Sequence, residues 1–309
     1  MAAPPPAEAE SNSSPSIPPL DRGRHLKYWK RCLRTVLPTQ YTSQDSSRMV
    51  LGFFILSAVD LLSSPSSSTG PPPEELLTHT DRRQLRNWVL ACQHPAGGFC
   101  GSPTHVPPST ISTGASTTPP HSHGSGTHDG AYLAATAFAL LLLPLLCANE
   151  AVDGHDGART AYNGVQRRAT LAWLRRLQRR DGSFGETLGE GLPGNDATSG
   201  DGGRDEAQIA GGRDMRYAYF AAMTRWMLRG GEGSEEEDID VDALVGFIRR
   251  AQTYDGGVAE TGMHEPHGEF TAFDLFVSTC ALADNVPRQL ATHSAQSRLS
   301  PCLTARTHL

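Results

Sequence analysis

At roughly 100–200 residues per domain, a chain of 309 residues holds two domains or one large one. Hydrophobic residues make up 38% and charged residues 19%, enough for one sizeable core, while 31 Gly and 22 Pro assign part of the chain to loops. A formal net charge of −6 argues against a generic nucleic-acid binder, which needs a basic stripe to displace counterions.

Residues 1–20 are rich in Pro, Ser and Ala and offer too little apolar surface to order. A first helix is predicted over about Asp21–Leu37, where Leu26, Trp29 and Leu33 recur at helical spacing. A second, about Ser46–Leu62, is apolar on nearly all sides, as a helix buried on both flanks is. Residues 63–75 read as a Ser/Pro/Gly loop.

Three later segments repeat one another when aligned on Gln93, Gln178 and Gln252. Five residues before each Gln stands a large aromatic (Trp88, Trp173, Phe247), preceded and followed by apolar residues on one amphipathic face. Each Gln is followed by a turn of shared form, HPAGGF, RRDGSF and TYDGGV, with Gly97, Gly182 and Gly256 at one offset. Glycine there suits a helix end that needs positive φ. A second, apolar helix follows each repeat: Ala131–Leu146, Met215–Leu228 and Phe270–Ala283. The unit is therefore a helical hairpin, and tandem hairpins build a solenoid or an α/α toroid. The fold class expected is all-α, with alternating inner and outer helices over residues 21–283 and essentially no sheet.

The insertions 101–129 and 186–213 are low-complexity and are expected to be surface loops. The acidic run Glu235–Asp242 reads as a solvated loop that places acids at a helix N-terminus. The longest apolar run noted, Ala131–Leu146, is shorter than the ~20 residues of a membrane span and contains Pro144, so a buried core helix is expected and no span. Six cysteines (Cys32, Cys92, Cys100, Cys147, Cys280, Cys302) form no CxxC pair, and no secretory signal is visible. Reduced thiols and a cytoplasmic location are the expectation.

The repeat of aromatic, Gln and GGF or DGSF turn resembles the protein prenyltransferase β-subunit family, and within it most the geranylgeranyltransferase type I branch. Further pieces carry the resemblance: RHLKYWKRCLRTVLPTQY (24–41), SSRMVLGFFILSAVDLL (46–62), LQRRDGSF (177–184), DMRYAY (214–219), IRRAQTYDGGVAE (248–260) and HEPHGEFT (264–271). The resemblance covers about residues 22–275. It implies transfer of an isoprenoid from its diphosphate to a cysteine thiol of a C-terminal CaaX motif, as in small GTPases. It also implies zinc, which holds the thiol as thiolate, and a separate α subunit that completes a heterodimer. Farnesyltransferase or Rab-type β subunits are the nearest alternatives. A helical-repeat module that binds an isoprenoid or the α subunit without chemistry is the alternative outside the enzyme class.

The resemblance also assigns residues. His267 matches the family's diphosphate-binding histidine and is the expected catalytic residue. Gly268 matches, whereas Glu269 replaces a glycine and sets a carboxylate where an anion would sit. Arg216 and Tyr217 match pocket residues for isoprenoid and peptide, although Gly212 stands where the family has Glu. Tyr132 stands where the family has His, and Ala134 matches a small pocket residue. Val50 is small where farnesyltransferases carry Trp, leaving room for a longer lipid, and Phe54 matches an aromatic of that wall. The family's Asp-x-Cys-Tyr zinc motif and its diphosphate Arg and Lys are absent, and residues 284–309 do not resemble the family. No metal ligands are assigned, and His121, His123 and His128 lie in a Gly/Ser loop with no rigid support. About four hairpins can be counted where a closed toroid of this family has six or so. The chain as given is expected to be inactive.

Overall fold

The structure is a computed structural model describing residues 20–35, 39–63, 77–106, 130–147, 160–189, 209–228 and 238–268. Helix α1 (Arg22–Arg34) starts where Asp21 accepts the N–H of Arg24 at 3.0 Å. It stops three residues short of the expected end. Thr35 is extended and returns its hydroxyl to the Arg31 carbonyl at 2.7 Å, in keeping with Pro38 downstream, which disfavours helix in the residue before it. A 3₁₀ segment (Thr39–Ser47) leads into α2 (Arg48–Ser63). Then come α3 (His79–Ala91), α4 (Leu133–Cys147), α5 (Arg167–Arg176), α6 (Met215–Leu228) and α7 (Val241–Ala251).

The packing separates two layers. Helices α2, α4 and α6 pack on one another in that order, while α1, α3 and α5 each pack on the inner helix that follows. The inner helices are apolar nearly all round, and α4 buries Ala135, Ala137 and Ala139 beside Leu140, Leu142 and Leu143. One core cluster gathers Met49, Leu56, Val89, Phe99, Leu140 and Leu143, and a second gathers Trp173, Leu177, Phe184, Met215, Phe247 and Ile248. Tyr219 and Phe220 of α6 pack against both and join them.

The three repeat turns are superimposable in their hydrogen bonds. The N–H after each Gln donates to a carbonyl four residues on: His94 to Gly98 (3.0 Å), Arg179 to Ser183 (2.8 Å), Thr253 to Gly257 (2.9 Å). The turn glycine returns its N–H to the same residue, at 3.0, 2.9 and 3.0 Å. Each glycine has positive φ: +104° at Gly97, +84° at Gly182 and +83° at Gly256.

Three expectations need correction. The insertion 186–213 is not loop throughout, because its ends pair as two short antiparallel strands, β1 (Thr187–Leu188) and β2 (Ile209–Ala210). The start of the insertion 101–129 is built into the core: Gly101 and Ser102 are buried, and the Gly101 carbonyl accepts the Met49 N–H at 3.1 Å. The acidic run is more than a solvated loop. Asp238 makes a two-pronged ion pair with the buried Arg225, both bonds 2.7 Å, and Asp240 caps α7. The third apolar helix, Glu269, the centres of both insertions and the two termini lie outside the described residues. One stretch besides Ala131–Leu146 bears on a membrane span: Ser43–Ser63 is long and apolar enough to cross one by length and composition. In the fold its α-helical part, α2, packs against α1 and α4.

Helix α3 shows how local chemistry sets a boundary. The Thr78 hydroxyl accepts the Asp81 N–H at 3.1 Å while the Asp81 carboxylate accepts the Thr78 N–H at 3.0 Å. Those two groups of Thr78, hydroxyl then N–H, hold the Asp81 carboxyl below its ordinary value. The lowered value adds stability above about pH 4, and that stability is lost as pH falls through the folded-state value. Thr78→Ala is expected to cost ~1 kcal/mol at pH 7. In urea unfolding the penalty should shrink at pH 3, and a pH-independent penalty would show that the carboxylate takes no part.

Candidate functional site

Residues four apart on a helix share a face, and that spacing organises the inner layer. Val50 and Phe54 do so on α2, Ala134 and Phe138 on α4, and Arg216 and Phe220 on α6. The rings meet across the helices. Phe54 lies 5.7 Å from Phe138, Phe53 lies 5.2 Å from Phe138, and Phe138 lies 5.6 Å from Phe220, which Tyr219 extends at 5.6 Å. Phe54 remains 54% exposed, so this aromatic band is accessible rather than sealed in the core.

The N-termini of the three inner helices converge at one end of the band. The N–H of Met49 on α2 donates to Gly101, and that of Tyr132, just before α4, donates to Phe99 at 3.0 Å. Leu133 at the start of α4 donates to the Glu186 carbonyl at 2.9 Å, and Met215 at the start of α6 donates to Glu260 at 3.0 Å. At this rim these four N–H groups are thereby committed to carbonyls, and the carboxylates of Asp214, Glu186 and Glu260 stand near the same helix starts.

Arg216 and Tyr217 stand at that rim. The Arg216 side chain is 55% exposed, and its guanidinium is clamped by both Nε (2.8 Å) and a terminal nitrogen to Asp214, whose side chain is 9% exposed. That hydrogen bond, with the charges of Asp214 and Glu260, raises the Arg216 pKa further above its ordinary value despite partial burial. Tyr217 is half-buried. Burial first, then the charge of Glu186 and a hydrogen bond to it, push its phenol up to about 12. Tyr217 is therefore expected to stay protonated at pH 11, and Glu186→Gln to lower its titration midpoint. Ultraviolet difference absorbance against Tyr217→Phe reads this out, and a midpoint unmoved by Glu186→Gln would remove Glu186 from the rim.

Helical spacing thus sets Val50, Ala134 and Arg216 each one turn from a ring of the band, at Phe54, Phe138 and Phe220, while Tyr217 packs against the second core cluster. Tyr132 is partly buried, packs against the first core cluster and accepts the Thr136 hydroxyl at 2.8 Å. His267 and Gly268 lie on the exposed segment after Glu260, and the His267 N–H donates to Val258 at 3.1 Å. A side chain at Gly268 would meet nothing within 4 Å among the described residues. Sequence reasoning missed Phe138, Phe220, Asp214, Glu186 and Glu260. The first two were within reach, since each lies four residues beyond an assigned one.

Among the described residues no three His, Cys, Asp or Glu side chains are arranged to hold a metal ion. Zinc therefore does not fit the residues described, and no chemical step is assigned to it. Cys92 and Cys100 are both buried, and burial, with the neighbouring Cys100, pushes the Cys92 thiol up to about 12. A polar cleft of about 350 Å³ lies elsewhere, between the turn after α5 and the start of α7, lined by Arg175, Gln178, Asp238 and Asp240.

The layered hairpins and their aromatic band define a class that comparison confirms. Residues 20–298 match the prenyltransferase alpha-alpha toroid domain, and the chain belongs to that family. Among its relatives is the geranylgeranyl transferase type-1 subunit beta of Arabidopsis thaliana, 27% identical over 270 residues, covering 84% of this chain and 56% of the relative. The protein farnesyltransferase subunits beta of Pyricularia oryzae and Schizosaccharomyces pombe are 24% and 25% identical, covering 85% and 84% of this chain and 40% and 47% of theirs. The chain spans about half the length of these curated relatives. The solved structure of Candida albicans protein geranylgeranyltransferase-I complexed with GGPP shares the fold, with a TM-score of 0.55 and 21% identity over 88% of this chain and 62% of that one.

Proposed function

We propose that this chain is a β-type subunit of a protein geranylgeranyltransferase type I. In this reading the chain of a geranylgeranyl diphosphate lies along the aromatic band, with its last isoprene unit beside Val50. The observation that carries the reading is the aromatic face of Phe54, Phe138 and Phe220, which lies one helical turn in from the small Val50 on α2 and from Arg216 on α6. An apolar chain gains about 0.8 kcal/mol per buried CH₂, and charged donors offset the diphosphate charge. His267 is the proposed further donor to the diphosphate, with Gly268 beside it and Glu269 opposing. Tyr132, Ala134 and Tyr217 are the proposed neighbours of the lipid and of the acceptor peptide.

The wider assembly belongs to the same proposal: an α subunit as heterodimer partner, CaaX proteins such as small GTPases, and action in the cytoplasm; the family's zinc is left out of it, because its ligand motif is absent from this sequence. The Asp-x-Cys-Tyr motif is absent from the sequence. The 309-residue chain is therefore proposed to bind the lipid diphosphate without transferring it.

The test is displacement of a fluorescent geranylgeranyl diphosphate analogue from the 309-residue protein. Geranylgeranyl diphosphate should compete at least roughly tenfold better than farnesyl diphosphate, given five more buried carbons. Equal competition would reassign the chain to the farnesyl branch, and no binding would sink the reading.

A further inference from the structure

Two side chains of the second repeat turn reach far along the chain. Gln178 clasps the N-cap of the next outer helix, its amide donating to the Asp240 carbonyl and accepting the Asp240 N–H, both at 2.7 Å. Gln93 does the same for α5, donating to the Gly164 carbonyl at 2.9 Å and accepting the Gln166 N–H at 2.8 Å. With the turn glycine, each amide makes a socket for the first turn of that helix, since a Cβ on Gly97 or Gly182 would strike the carbonyl oxygen of Ala169 or Ala243. The residue after the glutamine breaks the repeat. In the first turn it is His94, whose Nδ1 accepts the Ala96 N–H at 3.1 Å, and in the third it is Thr253, whose hydroxyl donates to the Gly257 carbonyl at 3.0 Å. Both side chains serve their own turn.

In the second turn the same position holds Arg179, which is 8% exposed. One terminal nitrogen donates to the Phe184 carbonyl at 2.9 Å and to the Gly212 carbonyl at 3.2 Å, and the other donates to the Gly211 carbonyl at 2.7 Å. Gly211 and Gly212 lie 32 and 33 residues further on. A planar guanidinium grips two successive carbonyls as a fork, a geometry that a lysine ammonium does not reproduce. Asp181 adds a second tie: one of its oxygens accepts the Ser183 N–H at 3.0 Å, and the other accepts Nε–H of Arg213 at 2.7 Å. The segment Gly211–Gly212–Arg213 is thus fastened to the second turn, and its neighbours leave it little slack. The Glu186 N–H donates to the Ala210 carbonyl at 2.9 Å, and a Cβ on Gly211, at φ +92°, would stand 2.7 Å from the Glu186 Cβ. Two residues beyond Gly212, Asp214 clamps Arg216, and the Tyr217 hydroxyl donates to the Glu186 carboxylate.

We infer that Arg179 is a positioning residue: by gripping the Gly211 and Gly212 carbonyls it sets where α6 begins, and with it the pose of Arg216 and of the Tyr217–Glu186 pair. The inference rests on the proposed function in one respect, that Arg216 and Tyr217 belong to the pocket for lipid and acceptor peptide.

The test compares Arg179→Met, which keeps the buried stem, and Arg179→Lys, which keeps the charge, with the parent 309-residue chain. The first reading is the Tyr217 titration midpoint, by ultraviolet difference absorbance against Tyr217→Phe in each background. Burial and then Glu186 hold that phenol at about 12. Loss of the fork lets both relax, so the midpoint should fall towards the ordinary ~10 in both variants. Loss of a nearby cation alone would instead raise it in Arg179→Met and leave it in place in Arg179→Lys. A rise, an unmoved midpoint or a parent-like Arg179→Lys overturns the inference. Circular dichroism at each pH reads the fold alongside, and loss of helical signal in both variants would make Arg179 a residue of the fold and overturn the inference too. The second reading is displacement of the fluorescent geranylgeranyl diphosphate analogue, expected to weaken roughly fivefold in both variants, the size of one misplaced hydrogen bond. Unchanged lipid affinity beside a fallen midpoint would overturn the link to the pocket. A parent chain that binds no lipid would sink the proposed function, and the Tyr217 midpoint would still decide the role of Arg179.

Discussion

Gly182→Ala is expected to lower the thermal midpoint far more than Gly256→Ala. Both glycines sit at nearly the same positive φ, +84° and +83°, so each substitution carries the left-handed penalty of ~1–2 kcal/mol. At Gly182 the new methyl also meets the Ala243 carbonyl oxygen at 1.9 Å, which is backbone of α7 and cannot swing aside. The second repeat must therefore part from the third, and a loss of ~4 kcal/mol or more is expected, in the range reserved for core overpacking. For a domain of this size that corresponds to a fall of about 8–16 °C. At Gly256, where nothing lies within 4 Å among the described residues, the fall should stay near 2–8 °C, the share of the dihedral alone. Differential scanning fluorimetry on the two variants decides the matter, and equal falls would mean that the joint between repeats contributes nothing beyond the turn.

Val50→Trp is expected to shift the lipid preference toward farnesyl diphosphate. Val50 is partly buried and shares a face of α2 with Phe54, whose ring touches Phe138. An indole at that position fills space along the aromatic band that the proposed reading gives to the fourth isoprene unit. Geranylgeranyl diphosphate affinity should fall at least roughly tenfold while farnesyl diphosphate affinity stays within about threefold, the size of effect that a few methylenes command in an apolar pocket. Fluorescent-analogue displacement measures both. Unchanged preference would detach Val50 from the lipid site and leave it as ordinary packing on α2, even with the fold intact.

Much of the architecture was legible because it is periodic. The offsets around Gln93, Gln178 and Gln252 repeat what each hairpin must do: bury an aromatic, end a helix and turn through a glycine. The expected Met215–Leu228 helix matches α6 to the residue, since its apolar run is bounded by charged and glycine-rich sequence. What stayed hidden depends on partners far apart in the chain. The pairing of Thr187–Leu188 with Ile209–Ala210 lies at the two ends of a low-complexity stretch, where no alternation over such short strands can be seen. The Arg225–Asp238 pair joins an apolar helix to an acidic run, and neither pattern announces the other. Asp214 reads as a loop acid, and only its place two residues before Arg216 at a helix start shows that it clamps the guanidinium. The rim was partly visible through Arg216 and Tyr217, but Glu186 and Glu260 reach it through tertiary packing alone.

The amide clasp between repeats has a direction. Gln93 secures the first turn of α5, and Gln178 that of α7, while among the described residues no matching amide runs the other way. Stability in this array is therefore transmitted preferentially towards the C-terminus: a repeat that frays takes away the cap of its successor, whereas its predecessor keeps its own. On a growing chain the same polarity means that each socket is complete before the helix that fills it has been synthesised.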